Sequence, residues 1–232
     1  MKKFLYGLTL ISLYSCNKEV IQPNGVEYNG HIYETVVIGS QEWFSENLIT
    51  ESFNNGDPIT QSPWGEFQNS NVPTYSVLEC DSVTWEVGFH YNYHVVMDER
   101  NVCPVGWRVP NEYDFELLIN TVGGEDIAGY NLKTQIGWSN INTVSSNSFE
   151  FDGYPNFMKW GTYDVDNTPC NYPEQEGLYL WSDNPQTQND DYIEFLEIRD
   201  EDGAYVQRIS NTNESLPAFR YTTGMGIRCV KE

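Results

Sequence analysis

Cys103-Pro104-Val105-Gly106-Trp107-Arg108-Val109-Pro110-Asn111-Glu112-Tyr113-Asp114-Phe115-Glu116-Leu117-Leu118 reads as an extended segment that hands over to a helix. Pro104 and Gly106 mark a turn, and apolar Trp107 and Val109 flank polar Arg108 as at the end of a strand. Asn111 is a good N-cap, and Glu112 and Asp114 put negative charge in the first turn, where the helix dipole favours it. Phe115, Leu118 and Ile119 recur at three- and four-residue spacing, so one helical face is apolar. Gly123-Gly124 stops the helix. The expected packing buries the Trp107 indole against Phe115 and Leu118.

Away from this helix the chain is written in strands and turns. Residues 26–38 alternate apolar and polar around Asn29-Gly30, a hairpin signal. A short strand is expected over residues 43–48, with the Asn47 side chain placed to satisfy a turn. Residues 54–58 form a loop. Residues 87–96 alternate through Phe89, Tyr91, Tyr93 and Val95, which predicts a strand with His90 and His94 on one face. After the helix, residues 130–138 read as extended, and residues 149–158 as broken structure around Gly153 and Pro155. Strands are expected over residues 177–182, over 192–198 and 204–209 as a hairpin about Asp202-Gly203, and over 225–230.

The 232 residues suit one domain of about 200 residues and a short leader. Aromatic residues make up 15%, with 16 Tyr and 7 Trp, which fits a β-rich fold that packs rings on pleated surfaces. The net charge of −22 repels phosphate backbones and argues against nucleic-acid binding. No cofactor or metal is implied: the sequence has no GxSxG, HExxH, P-loop, CxxC or EF-hand ladder. His31, His90 and His94 read as solvent-facing or hydrogen-bonded rather than as a metal set. Nothing local selects a glycosidase pair from the 34 carboxylates.

Residues 1–15 read as a signal peptide: Lys2-Lys3, an apolar run, then Leu13-Tyr14-Ser15-Cys16. That ending resembles a bacterial lipobox, which makes Cys16 the expected lipidated N-terminus and residues 16–24 a tether. The expected location is the bacterial outer membrane or cell surface, held by the lipid alone. Beyond Cys16 lie Cys80, Cys103, Cys170 and Cys229. An even number in an exported chain suggests disulfides, and four cysteines allow three pairings.

The run from Cys103 to Leu118 resembles the central signature of the Fibrobacter succinogenes major paralogous domain family. Trp43-Phe44-Ser45-Glu46-Asn47-Leu48 is similar to its W-x-x-E-N-L block. Asn55-Gly56-Asp57-Pro58-Ile59 and Gly88-Phe89-His90-Tyr91-Asn92-Tyr93 fit the next two. Ala128–Lys133, Leu180-Trp181-Ser182 and Gly226-Ile227-Arg228-Cys229 follow in order, so the resemblance covers residues 25–232. Asp183 departs from it, since many members carry another serine there, and residues 162–176 look like an insert. Cys103 and Cys229 both fall in family blocks, so the resemblance favours their pairing and leaves Cys80 with Cys170.

The resemblance implies an α+β, C-type-lectin-like compact domain with short antiparallel strands, few helices and long loops, as in formylglycine-generating-enzyme relatives. The copper-binding cysteine pair of those enzymes has no counterpart here, so the resemblance implies scaffold rather than catalysis. The expected function is a non-enzymatic surface lipoprotein whose loops bind a glycan or a protein. Aromatics set among turn residues are the candidate ligand contacts: Trp64, Phe67, Tyr154, Trp160, Tyr163 and Tyr172. Two alternatives stay open. One is a polysaccharide-acting hydrolase; the other is a display protein varied by a diversity-generating element, with Asn211, Asn213 and Tyr221 in the varied region.

Overall fold

Asn29 and Gly30 take φ of 50° and 81°, the left-handed pair that a two-residue hairpin needs. They join β1 (Gly25–Tyr28) to β2 (His31–Ile38), with Tyr28 opposite His31. The computed structural model describes residues 25–63, 70–77, 87–138, 145–156, 158–160, 177–183, 192–199, 203–210 and 223–232. β3 (Gln41–Phe44) returns along β2. The same sheet is completed by β13 (Val230–Lys231), which lies between β3 and β7 (Trp107–Arg108). Its order is β1-β2-β3-β13-β7.

A second sheet runs β4-β5-β6-β12-β8, formed by Thr60–Gln61, Thr74–Ser76, His90–Asn92, Thr223–Met225 and Lys159–Trp160 respectively. A third is the antiparallel set β9 (Leu178–Trp181), β10 (Tyr192–Ile198) and β11 (Ala204–Ser210). The described architecture is therefore mostly β with few helices, a compact α+β arrangement. The hairpin expected in the last third is present in register, with Ile198 opposite Ala204.

Helix α2 (Glu112–Thr121) starts as its sequence requires. Asn111 Oδ1 accepts from Asp114 N at 3.1 Å, and Asp114 Oδ2 accepts from Asn111 N at 2.7 Å, a reciprocal capping box. Arg108 adds a two-pronged fork to the same carboxylate, at 2.5 and 2.8 Å.

Several expectations are corrected. The short strand expected over residues 43–48 runs instead over Gln41–Phe44, and the residues after Phe44 leave the sheet. The strand over 87–96 ends at Asn92, and α1 (Tyr93–Val96) follows. Asn92 spends its side chain on Thr74 N and Val72 O (3.1 and 2.8 Å), so the chain turns there. His90 and His94 thus sit on different elements. Residues 130–138 do not begin extended, because α3 (Glu125–Leu132) restarts directly after Gly123 and Gly124. Its buried Ala128, Gly129 and Leu132 give it a packed face. The final strand is split: β12 and β13 belong to different sheets, and the residues between them enter the core.

The core has two clusters, divided by strands that are buried on both faces. Successive side chains of a strand point to opposite sides, so Phe44 enters one cluster and Trp43 the other. Tyr179 and Trp181 separate from Leu178 and Leu180 in the same way. Trp107 is buried, as expected, but not against Phe115 and Leu118. Its ring packs on Phe44 at 4.6 Å, while Phe115 stacks on Trp43 at 5.7 Å in the other cluster.

The abundant tyrosines have a specific use. The segment after β3 is irregular, and phenols satisfy its backbone. Tyr33 Oη accepts from Ile49 N at 3.1 Å, Tyr91 Oη donates to Thr50 O at 2.9 Å, and Tyr28 Oη donates to Ser52 O at 3.3 Å. Burial pushes the Tyr33 and Tyr91 phenols well above their ordinary range, so they stay neutral. Cys103 and Cys229 are joined, with Cα atoms 5.9 Å apart and both residues fully buried. Cys80 and Cys170 lie outside the described residues.

Candidate functional site

Between β12 and β13 the chain carries Arg228 into the interior, where it is fully buried. Nε and Nη2 both donate to Asn47 Oδ1, at 3.0 and 2.9 Å. Nη1 donates to Phe151 O, and Nη2 to Asp152 O at 3.3 Å. The guanidinium lies over the Phe151 ring, 4.3 Å from its centroid. Burial pulls its pKa down to about 9, against the opposing pull of the Asp152 and Glu46 carboxylates. Among the described residues no carboxylate forms an ion pair with it.

Asn47 is the other half of this node. Its Nδ2 donates to Val87 O at 2.9 Å. Gly88, at φ 77°, lies so close that a Cβ there would come within 2.5 Å of Asn47 Cβ. Gly226 is equally constrained, since its Cβ would fall 2.4 Å from Asn156 Nδ2. Three separated sequence blocks, those of Asn47, Gly88 and Gly226-Arg228, therefore meet at one buried polar point.

Above the node lies a cleft of about 360 Å³. One wall comes from β2 and the residues after β3: Glu34, Ser45 and Glu46. Ser45 N donates to Glu34 O at 3.0 Å, and Glu34 N donates to Glu46 Oε1 at 3.3 Å. His31 Nε2 meets Glu46 Oε2 at 2.9 Å. The opposite wall holds Thr134, Ile136, Asp152 and Tyr154. Its two segments are tied by Thr134 N to Gly153 O and Gly153 N to Leu132 O, at 3.1 and 2.8 Å.

Asp152 is set by local chemistry. Asn147, Glu150 and Asp152 all have positive φ, of 45°, 54° and 52°. Asn147 and Asp152 bond reciprocally, Nδ2 to Oδ1 at 2.6 Å and Asp152 N to Asn147 Oδ1 at 3.1 Å. Tyr154 is half-buried and lies directly on Gly137, where a Cβ would meet its ring at 2.2 Å. Ile136 is 71% exposed, an apolar side chain left open beside the ring. The cleft thus offers an aromatic and aliphatic surface on one side, with hydroxyl and carboxylate groups around it.

Of the six aromatic candidates, Tyr154 lines this cleft. Of Trp160 only the backbone is described, in β8 opposite Thr223. Trp64, Phe67, Tyr163 and Tyr172 lie outside the described residues, as do Cys16, Asn211, Asn213 and Tyr221. His90 is buried with Nε2 2.5 Å from Asn156 O, and His31 serves Glu46. Asp183 is partly sunk near Arg108: burial raises its pKa, and Arg108 opposes the shift. Among the described residues no three His, Cys, Asp or Glu side chains are placed to hold a metal ion, and no helix is long and apolar enough to cross a membrane.

Glu34, Thr134, Ile136 and Asp152 carry no local mark of a cleft, because they come from separate segments with no common spacing. Ser45 and Glu46 sit in the W-x-x-E-N-L block, and Tyr154 is one of the aromatic candidates. No curated protein and no solved structure matches this chain. The sequence model of the Fibrobacter succinogenes major domain matches residues 36–231, and the chain belongs to that family.

Proposed function

We propose that this chain is a non-enzymatic, exported surface lipoprotein that holds a neutral glycan in the cleft beside Tyr154. The observation that carries this reading is one cleft that pairs an aromatic ring and an open isoleucine with Ser45, Thr134 and three carboxylates. A sugar ring presents C–H faces to the first and hydroxyl donors to the second. Sites of this kind sit on loops held by a rigid scaffold. A chain of net charge −22 also disfavours polyanionic ligands. The C-type-lectin-like scaffold belongs to the same proposal. It is supported by the few helices, the long irregular segments, and β1 and β13 sharing a sheet. Anchoring at Cys16 is supported by the leader that precedes it.

Three measurements test the proposal. An array of neutral polysaccharides should retain the wild type, and Tyr154→Ala should weaken binding at least about tenfold, or about 1.4 kcal/mol, at an unchanged melting temperature. Loss of binding only together with loss of folding would sink the glycan reading. Release of reducing ends by the wild type, abolished by Glu46→Gln or Asp152→Asn, would replace it with a hydrolase. In a bacterial host the wild type should take up labelled fatty acid and Cys16→Ala should not; equal labelling would remove the lipid anchor.

A further inference from the structure

We propose that Arg228 is the tie that sets the width of the cleft. The two walls come from distant parts of the chain, yet one buried side chain bonds to Asp152 of one wall and to Asn47, which directly follows Glu46 of the other. Toward the wall of Glu46, Nε and Nη2 hold the side chain of the next residue, Asn47, at 3.0 and 2.9 Å. Toward the wall of Tyr154, Nη1 and Nη2 hold the carbonyls of Phe151 and Asp152. The Phe151 ring under the guanidinium fixes its plane at 4.3 Å.

Arginine is suited to this task because its planar fork presents five donors in fixed directions. The wall that it holds needs holding. Residues 147–152 carry three non-glycine positions of positive φ, so their conformation depends on what surrounds them. A lysine at 228 has a single amino group on a flexible stem and no fork with which to span both walls. Arg228 is thus a positioning residue that acts on the cleft through backbone carbonyls and Asn47.

The test needs no ligand, so its outcome is separate from that of the glycan reading. In the full chain, ketone-bearing residues at Glu34 and Ile136 accept nitroxide labels without recourse to cysteine. Pulsed electron resonance then reports the wall-to-wall distance. A second labelled pair, Glu27 and Val37, stays within the β1–β2 hairpin as a control. Arg228→Lys should roughly double the width of the cross-cleft distribution, as a freed loop wall would at loop timescales, and leave the control pair unchanged. Should Arg228→Lys fail to fold, Asn47→Ser severs the near-wall end of the tie and should give the same broadening. An unchanged distribution in either folded variant overturns the proposal. Loss of folding in both also overturns it, since the node would then be a requirement of the whole fold rather than of cleft width.

Discussion

Replacing Cys103 and Cys229 together by alanine is expected to lower the unfolding free energy by about 4–5 kcal/mol. The bridge spans 126 residues of sequence, and in the chain-entropy account a long loop restricts the unfolded ensemble most. Such a loss is a large part of a typical domain's stability of about 5–15 kcal/mol. Urea melts of wild type and double variant should show it directly. With reductant present throughout, wild type and double variant should fall onto one curve. A difference below about 1 kcal/mol would mean that the unfolded chain is already restricted in other ways. Both cysteines are fully buried, so reductant added to the folded protein should act slowly, at the pace of opening.

Trp43→Ala should cost about 3–5 kcal/mol, the range for truncating a large buried aromatic. Trp43 is fully buried, stacks on Phe115, and meets Phe151 edge-on at 6.0 Å. It therefore props the same Phe151 that underlies Arg228. Its indole N–H has no hydrogen-bond partner among the described residues. Trp43→Phe removes that orphan donor, so it should cost far less, about 1–2 kcal/mol, as lost contact is offset by relief of an unmet polar group. Thermal melts of the two variants separate the effects. Equal losses would show that the indole N–H is satisfied in solution.

Local chemistry made some of the fold legible. Asn29-Gly30 admits almost no alternative to a hairpin, and Asn111 with Asp114 three residues on specifies a helix start. Where two patterns fit the same residues, tertiary contacts decided. Tyr93 and Val95 alternate like a strand, yet with Val96 they are equally the buried side of one helical turn. The Asn92 side chain, bonded to a distant segment, chose between them. The residues between β12 and β13 read as strand because nothing in Gly-Ile-Arg-Cys announces that the arginine is interior. Its acceptors, Asn47 and the Phe151 carbonyl, lie far away in sequence. The cleft was hidden for the same reason, being assembled by backbone bonds between segments that share no periodicity.

The position of β13 governs when this protein is able to fold. Val230 pairs with Trp43 on one side and Arg108 on the other, so the middle of the first sheet stays open until residues about 190 positions after Trp43 have been made. An early fragment holding β1, β2 and β3 exposes an unpaired edge, the kind of template that recruits other chains. Pairings between such remote segments also make for slow folding. The strand that fills the middle of the sheet also carries Cys229 to Cys103, so one event closes the sheet and places the bridge.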